Sequence, residues 1–300
     1  MKKTYLLLPF MLLWIYTVAQ KNDPAVNLKK IEKKIIAEGV SLYQLDMAAT
    51  IGVKIYSHDF PDLVENTMGY FSYKEGSFYK CVFYNKLAEP QILSTISFDS
   101  LFNLKRVAIN TTLRAMNFLE KDLFNMREHA IDDIKRDTTF YKLYSYTSTT
   151  LIPVINAESK RVYVITKSDD STTVIFGNDY QIDFDNANYI SSRKLLHNEF
   201  VTIEAASKDP YVDENLEGVM HKHTAESGEF MTPTDVCILL LYQKKNRWGH
   251  HVVMGQNYVS VWYCDNNELE TVTKKTWLKY NKPEKETKEK EKNVAGTTKE

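Results

Sequence analysis

Hydrophobic side chains recur at helical steps near the start of the chain, alternate with polar ones through its middle, and return to helical steps before a long strand-like half. Asp23 and Pro24 offer an N-cap and a first-turn proline, and Val26, Leu28, Ile31, Ile35 and Ile36 then keep helical spacing as far as Glu38 and Gly39. A second, short helix is predicted over residues 41–50. Between 67 and 99, MGYFSYKEG, SFYKCVFYNK and PQILSTISFD alternate aromatic or β-branched residues with polar ones and are punctuated by Gly or Pro, which predicts three strands of an antiparallel meander. From 111 to 137, Met116, Leu119, Leu123, Met126, Ala130 and Ile134 step by three and four, with Glu120, Lys121, Arg127, Asp133 and Arg136 on the other sides, and predict the longest helix. Ile152-Pro153 and Ala157-Glu158-Ser159 interrupt this pattern. Strand signals resume in RVYVITK, STTVIFG, YQIDFD and FVTIEAA, and the chain closes with HHVVMG and a hairpin of NYVSVWYC and ELETVTK about a turn at Asp265-Asn266-Asn267. The expected fold is α+β: N-terminal helices and an antiparallel meander with one long helix over residues 20–150, then a strand-rich region over 151–282. No internal repeat crosses the boundary near 150.

The ends read differently from this body. Lys2 and Lys3, an uncharged apolar stretch over residues 5–18 and the small-residue site Thr17-Val18-Ala19 follow the order of a secretory signal peptide, so residues 1–19 are expected to be cleaved after Ala19 and the product exported to the periplasm or beyond. The apolar run is about 14 residues where a spanning helix needs roughly 20, and no later segment approaches that length, so no transmembrane segment is expected in the mature chain. Residues 283–300, PEKETKEKEKNVAGTTKE, alternate charge with almost no apolar surface to bury and are expected to form a solvated, disordered tail. The 38 Lys and Arg nearly balance the 39 Asp and Glu, leaving no net field to gather nucleic acid. The three cysteines, Cys81, Cys237 and Cys264, read as separate half-buried thiols, with a Cys237–Cys264 pairing as the alternative.

Candidate chemistry gathers near the C-terminus. Gly218-Val219-Met220-His221-Lys222-His223 has the pattern of a strand end, and a period of two puts both imidazoles on one face and Lys222 on the other. After eight residues, Thr232-Pro233-Thr234-Asp235 has the pattern of a helix start, with Thr232 as cap, Pro233 at the first helical position and Asp235 at the third. Two neutral imidazoles and a carboxylate form a three-ligand set for zinc that leaves a fourth position for water, which a bound metal can turn into a nucleophile near neutral pH. Chance spacing and simple helix capping account for the same residues without a metal.

At these residues the chain resembles the JAB/MPN metalloprotease superfamily, whose motif is a glutamate, then His-x-His, seven residues, Ser, two residues and Asp. More narrowly it is similar to secreted JAB-like domains of bacterial toxins and effectors, over roughly residues 155–275. The resemblance implies a mixed-sheet C-terminal half, zinc held by His221, His223 and Asp235, Thr232 polarising the developing oxyanion in place of serine, and amide or isopeptide cleavage with a glutamate as general acid and base. Here Thr224 stands where proline usually follows the second histidine, the loop is one residue longer, and Thr replaces Ser. The glutamate is not identifiable: Glu199 is the candidate, Glu204 its rival, and both also fit exposed strand positions.

His197 reads as a surface histidine at a strand entrance, with a further ligand or an acid as the alternative. Trp248-Gly249-His250-His251 reads as half-buried strand, since adjacent strand residues face opposite ways, and Gly177-Asn178-Asp179-Tyr180 as a tight turn of backbone origin. The chain has no Gly-x-Ser-x-Gly elbow, His-Glu-x-x-His helix, Walker loop or dinucleotide fingerprint. Two functions are expected to compete, an exported binding or structural module, with a protein or peptide as partner, that keeps the fold and can bind zinc but lacks the activity, and a zinc-dependent peptidase using metal-activated water; an exported enzyme with an unrelated site, such as a Ser, His and Asp hydrolase, is a third class.

Overall fold

The structure is a computed structural model that describes residues 24–197, 200–205 and 218–281; the leader and tail expected at the two ends lie outside them. Helix α1 (Pro24–Asp59) and the short α2 (Pro61–Val64) lead into the meander β1 (Thr67–Glu75), β2 (Phe78–Asn85) and β3 (Gln91–Phe98), whose far edge takes the short β4 (Ala108–Asn110) and β5 (Arg114–Ala115). Helix α3 (Phe118–Arg136) follows. The chain continues through β6 (Thr147–Ile155), β7 (Lys160–Ser168), β8 (Thr173–Gly177), β9 (Tyr180–Phe184), β10 (Ile190–Leu195) and β11 (Phe200–Glu204). It ends with β12 (Gly218–Lys222), α4 (Pro233–Asn246), β13 (His250–Met254), β14 (Tyr258–Tyr263), β15 (Glu268–Thr273) and α5 (Lys274–Tyr280). The fold is α+β. Sheets run β10-β9-β7-β6, β11-β8 and β12-β13-β14-β15, and the last is mixed, because β12 lies parallel to β13 while the rest is antiparallel. Among the described residues no helix is long and apolar enough to cross a membrane.

The first two helices expected from the sequence are one. Glu32, Ile35, Gly39, Leu42, Asp46, Ala49, Gly52 and Tyr56 form a single buried stripe along the 36 residues of α1. Gly39 therefore does not end a helix. A Cβ there would lie 2.5 Å from Cβ of Val236 and 2.9 Å from the Pro233 carbonyl oxygen, and at Gly52 a Cβ would lie 2.7 Å from Cβ of Cys81. Both glycines mark where α4 and β2 press against the helix backbone. The resulting core takes Leu42 and Leu45 from α1, Phe83 from β2, Ile165 from β7, Phe176 from β8, Leu239 from α4 and Trp262 from β14. Each such side chain contributes about 1.5–3 kcal/mol when fully buried, so this shared apolar cluster is what fixes α4 against the sheets.

The boundary expected near 150 falls inside β6, which sequence patterning passed over. Its Pro153, opposite Val162, donates no hydrogen bond, and β6 lies at a sheet edge where that is tolerated. STTVIFG and YQIDFD join through the expected turn but enter different sheets, β8 pairing with β11 and β9 with β7. The three thiols are separate, as expected, but buried rather than half-buried.

Helix α3 starts on a capping box in which Asn117 accepts from the Glu120 N–H and Glu120 accepts from the Asn117 N–H. The buried Glu120 carboxylate also takes both amino groups of Arg114 at 2.7 Å and the Tyr73 hydroxyl at 2.7 Å. Burial pushes its pKa up, but the Arg114 fork, the cap N–H and Tyr73 outweigh it and hold it below the ordinary glutamate value of 4.5. A carboxyl lowered on folding adds stability above its unfolded pKa and loses it as pH falls through the folded one. Glu120→Gln is expected to cost about 1–2 kcal/mol at neutral pH, and denaturant titrations should show that gap closing toward acid pH. A gap independent of pH would refute the assignment.

Candidate metal centre

Strand β12 ends with the alternation its sequence predicts: His221 and His223 are buried while Lys222 is exposed. The parallel pairing with β13 continues one residue past the strand, where the His223 N–H donates to the Met254 carbonyl at 2.8 Å. Across the loop, α4 begins as expected. Thr232 caps it by accepting from the Asp235 N–H at 3.1 Å, and Asp235 Oδ2 in return accepts from the Thr232 N–H at 2.8 Å and the Thr232 hydroxyl at 2.9 Å. The Thr232 hydroxyl is therefore committed to the carboxylate and the cap. Asp235 Oδ1 is left buried without a hydrogen bond of normal geometry, although imidazole nitrogens crowd around it.

Those nitrogens come from three histidines. His221 Nε2 lies 3.4 Å from Asp235 Oδ1, and His223 Nε2 lies 3.7 Å from Oδ2 and 3.1 Å from His221 Nε2. The third is His197, whose Nε2 lies 3.0 Å from Asp235 Oδ1. A surface position was expected for it, yet it is only 3 % exposed. The backbone explains the difference: the Leu196 N–H donates to the Asp179 carbonyl at 2.8 Å, folding the segment after β10 inward over the β8–β9 corner. His197, His221, His223 and Asp235 thus bring one ligand atom each within 4.8 Å of one another, all four residues buried, and this group could hold a metal ion.

Asp179, expected only to shape a turn, and His251, expected to be a half-buried strand residue, belong to the same cluster. Asp179, in the corner where Asn178 takes φ of +56°, is buried, accepts the Thr166 N–H at 2.9 Å and places Oδ2 3.4 Å from His197 Nδ1. His251 is fully buried rather than half-buried; its Nε2 lies 2.8 Å from His221 Nδ1 and its ring stacks on Phe176 at 4.5 Å. Adjacent His250 is only partly buried, as strand alternation requires.

Charge within the cluster is uneven. Burial pushes His221 down to about 4 and His223 down to about 3, so both rings are neutral and have a lone pair to offer. Burial pushes His197 down too, but the Asp235 and Asp179 carboxylates outweigh it and hold its pKa well above the ordinary histidine value, while Asp235, despite its burial, is held well below the carboxylate range, chiefly by His197. A protonated His197 supplies the positive charge the buried carboxylate needs when no other cation does. Glu199 lies outside the described residues. Glu204 is exposed on β11, opposite Thr173. Beside the cluster, a cleft of about 350 Å³ between α1 and the loop before α4 is lined by Ile35, Leu196, Phe230, Met231 and Thr232, with Lys194 at its wall.

Comparisons with protein-family models, with curated proteins and with solved structures found nothing that matches this chain.

Proposed function

We propose that this chain is an exported binding module built around one divalent metal ion, zinc by its donor set, held in a closed site by His197, His221, His223 and Asp235. The observation that carries the reading is the spacing of the donors. An ion bonded tetrahedrally at about 2.0–2.1 Å needs its ligand atoms about 3.3 Å apart, and four of the contacts here, to one or other Asp235 oxygen or between imidazoles, are 3.0, 3.1, 3.4 and 3.7 Å, with one ligand atom from each residue inside 4.8 Å of the others. Asp235 Oδ1 is buried without a hydrogen bond of normal geometry although imidazole nitrogens of His197 and His221 stand 3.0 and 3.4 Å from it, and a central cation would satisfy it. Three imidazoles and a carboxylate, with no thiolate, suit zinc.

In this reading the strand–loop–helix frame that resembles the JAB/MPN superfamily is retained, and His197 takes the place of the catalytic water. Structural zinc sites are closed by four protein ligands, whereas catalytic ones keep a position open. When bound, the ion supplies a charge that ties together the segment after β10, the end of β12 and the start of α4. The protein or peptide partner then meets the surface this frame holds rigid.

Metal analysis of the full exported chain purified at neutral pH, and again after chelation and incubation with zinc, tests the proposal. One zinc per chain is expected, lost in the His221→Ala, His223→Ala double variant, with no peptidase activity in the loaded protein. Failure of the wild-type chain to take up zinc on reconstitution sinks the metal reading whether or not the variant folds. Zinc-dependent cleavage of a peptide or isopeptide substrate would replace the closed site with the peptidase alternative.

A further inference from the structure

An imidazole can offer one nitrogen to a metal only while its proton sits on the other, and the group facing that second nitrogen decides which tautomer is held. His197 and His221 face such a group on elements that supply no ligand. His197 directs Nε2 at Asp235 and Nδ1 at Asp179 Oδ2, which at 3.4 Å is the facing acceptor but stands just short of a formed hydrogen bond. Asp179 is itself anchored by the Thr166 N–H at 2.9 Å. His221 directs Nε2 at His223 and Asp235, and Nδ1 at His251 Nε2, 2.8 Å away. Phe176 stacks on His251 with an interplanar angle of 23° and holds that ring in place.

We infer that Asp179 and His251 are positioning residues of the metal centre, accepting the Nδ1 protons of His197 and His221 and so turning both Nε2 lone pairs inward. The inference rests on the metal-binding reading above. It assigns different chemistry to the two partners: a carboxylate that makes His197 a stronger donor, and a neutral imidazole that accepts at Nε2 and keeps its own proton on Nδ1. Neither residue touches the ion.

The first test uses the wild-type chain loaded with zinc. Long-range nitrogen–proton NMR correlations should place the protons of His197 and His221 on Nδ1, and that of His251 on Nδ1 as well. A proton on Nε2 of either ligand overturns the inference. The second test measures zinc affinity by competition with a chromogenic chelator in Asp179→Asn and His251→Phe. Each is expected to weaken binding roughly 10- to 100-fold while leaving one site per chain, with unfolding of the chelated variants close to that of the chelated wild type. Affinities within about twofold of wild type in both variants would also overturn it. If a variant does not fold, the wild-type tautomers decide. A wild-type chain that takes up no zinc would instead remove the metal reading on which this inference stands.

Discussion

Stripping zinc from the loaded chain at neutral pH is expected to lower its unfolding free energy by about 3–4 kcal/mol, a drop in midpoint on the order of 10 °C. The reason is linkage. His197, His221, His223 and Asp235 converge within 4.8 Å only because the segment after β10, the end of β12 and the first turn of α4 are folded together, so the ion binds the native chain and not the unfolded one. Ligand in 100-fold to 1,000-fold excess over its dissociation constant contributes about 2.7 to 4.1 kcal/mol. The loss should stop short of collapse, for two reasons. The core that runs from Leu42 to Trp262 does not depend on the ion, and a protonated His197 beside Asp235, at 3.0 Å, returns part of the missing positive charge. Denaturant titrations with chelator and with added zinc measure the difference directly. The same midpoint in both would mean that no ion is coupled to this fold.

Half of this centre was legible in the sequence, and the half that was not has a common cause. His221 and His223 at a period of two, and Thr232 with Asp235 at capping distance, are local signals, and the strand and helix that carry them formed where the residues indicate. His197, Asp179 and His251 reach the cluster through pairings no local period encodes. A backbone hydrogen bond from Leu196 to Asp179 turns His197 inward, the corner at Asn178 sends β8 and β9 into separate sheets, and the parallel β12–β13 register places His251 beside His221. The fold shows the same division. The meander and the capping box of α3 are written in neighbouring residues. The single helix α1 is not, because a glycine that admits a neighbouring backbone has the same local appearance as one that ends a helix.

That glycine makes the strongest test of how the centre is held. Gly39→Val is expected to destabilise the chain by about 3 kcal/mol, at the upper end for overpacking, and also to weaken zinc binding. A valine is only modestly poorer than alanine inside a helix and better than glycine, so propensity alone would make the change mildly stabilising. Packing reverses the sign. The first carbon added would sit 2.5 Å from Cβ of Val236, 2.7 Å from its Cγ1 and 2.9 Å from the Pro233 carbonyl oxygen, and two of these atoms cannot swing aside because they belong to or adjoin the backbone of α4. Pro233 and Val236 flank Asp235 in the first turn of that helix. Relief of the contact must therefore move the turn that presents the carboxylate, while His221 on β12 and His223 just past its end stay paired to β13 rather than to α1. Unfolding measured with chelator present isolates the packing cost, and zinc titration of the folded variant isolates the displacement of Asp235. Stability unchanged from wild type would mean that α1 and α4 do not cross at Gly39. Lowered stability with wild-type zinc affinity would mean that the start of α4 yields without carrying Asp235 away from the three imidazoles.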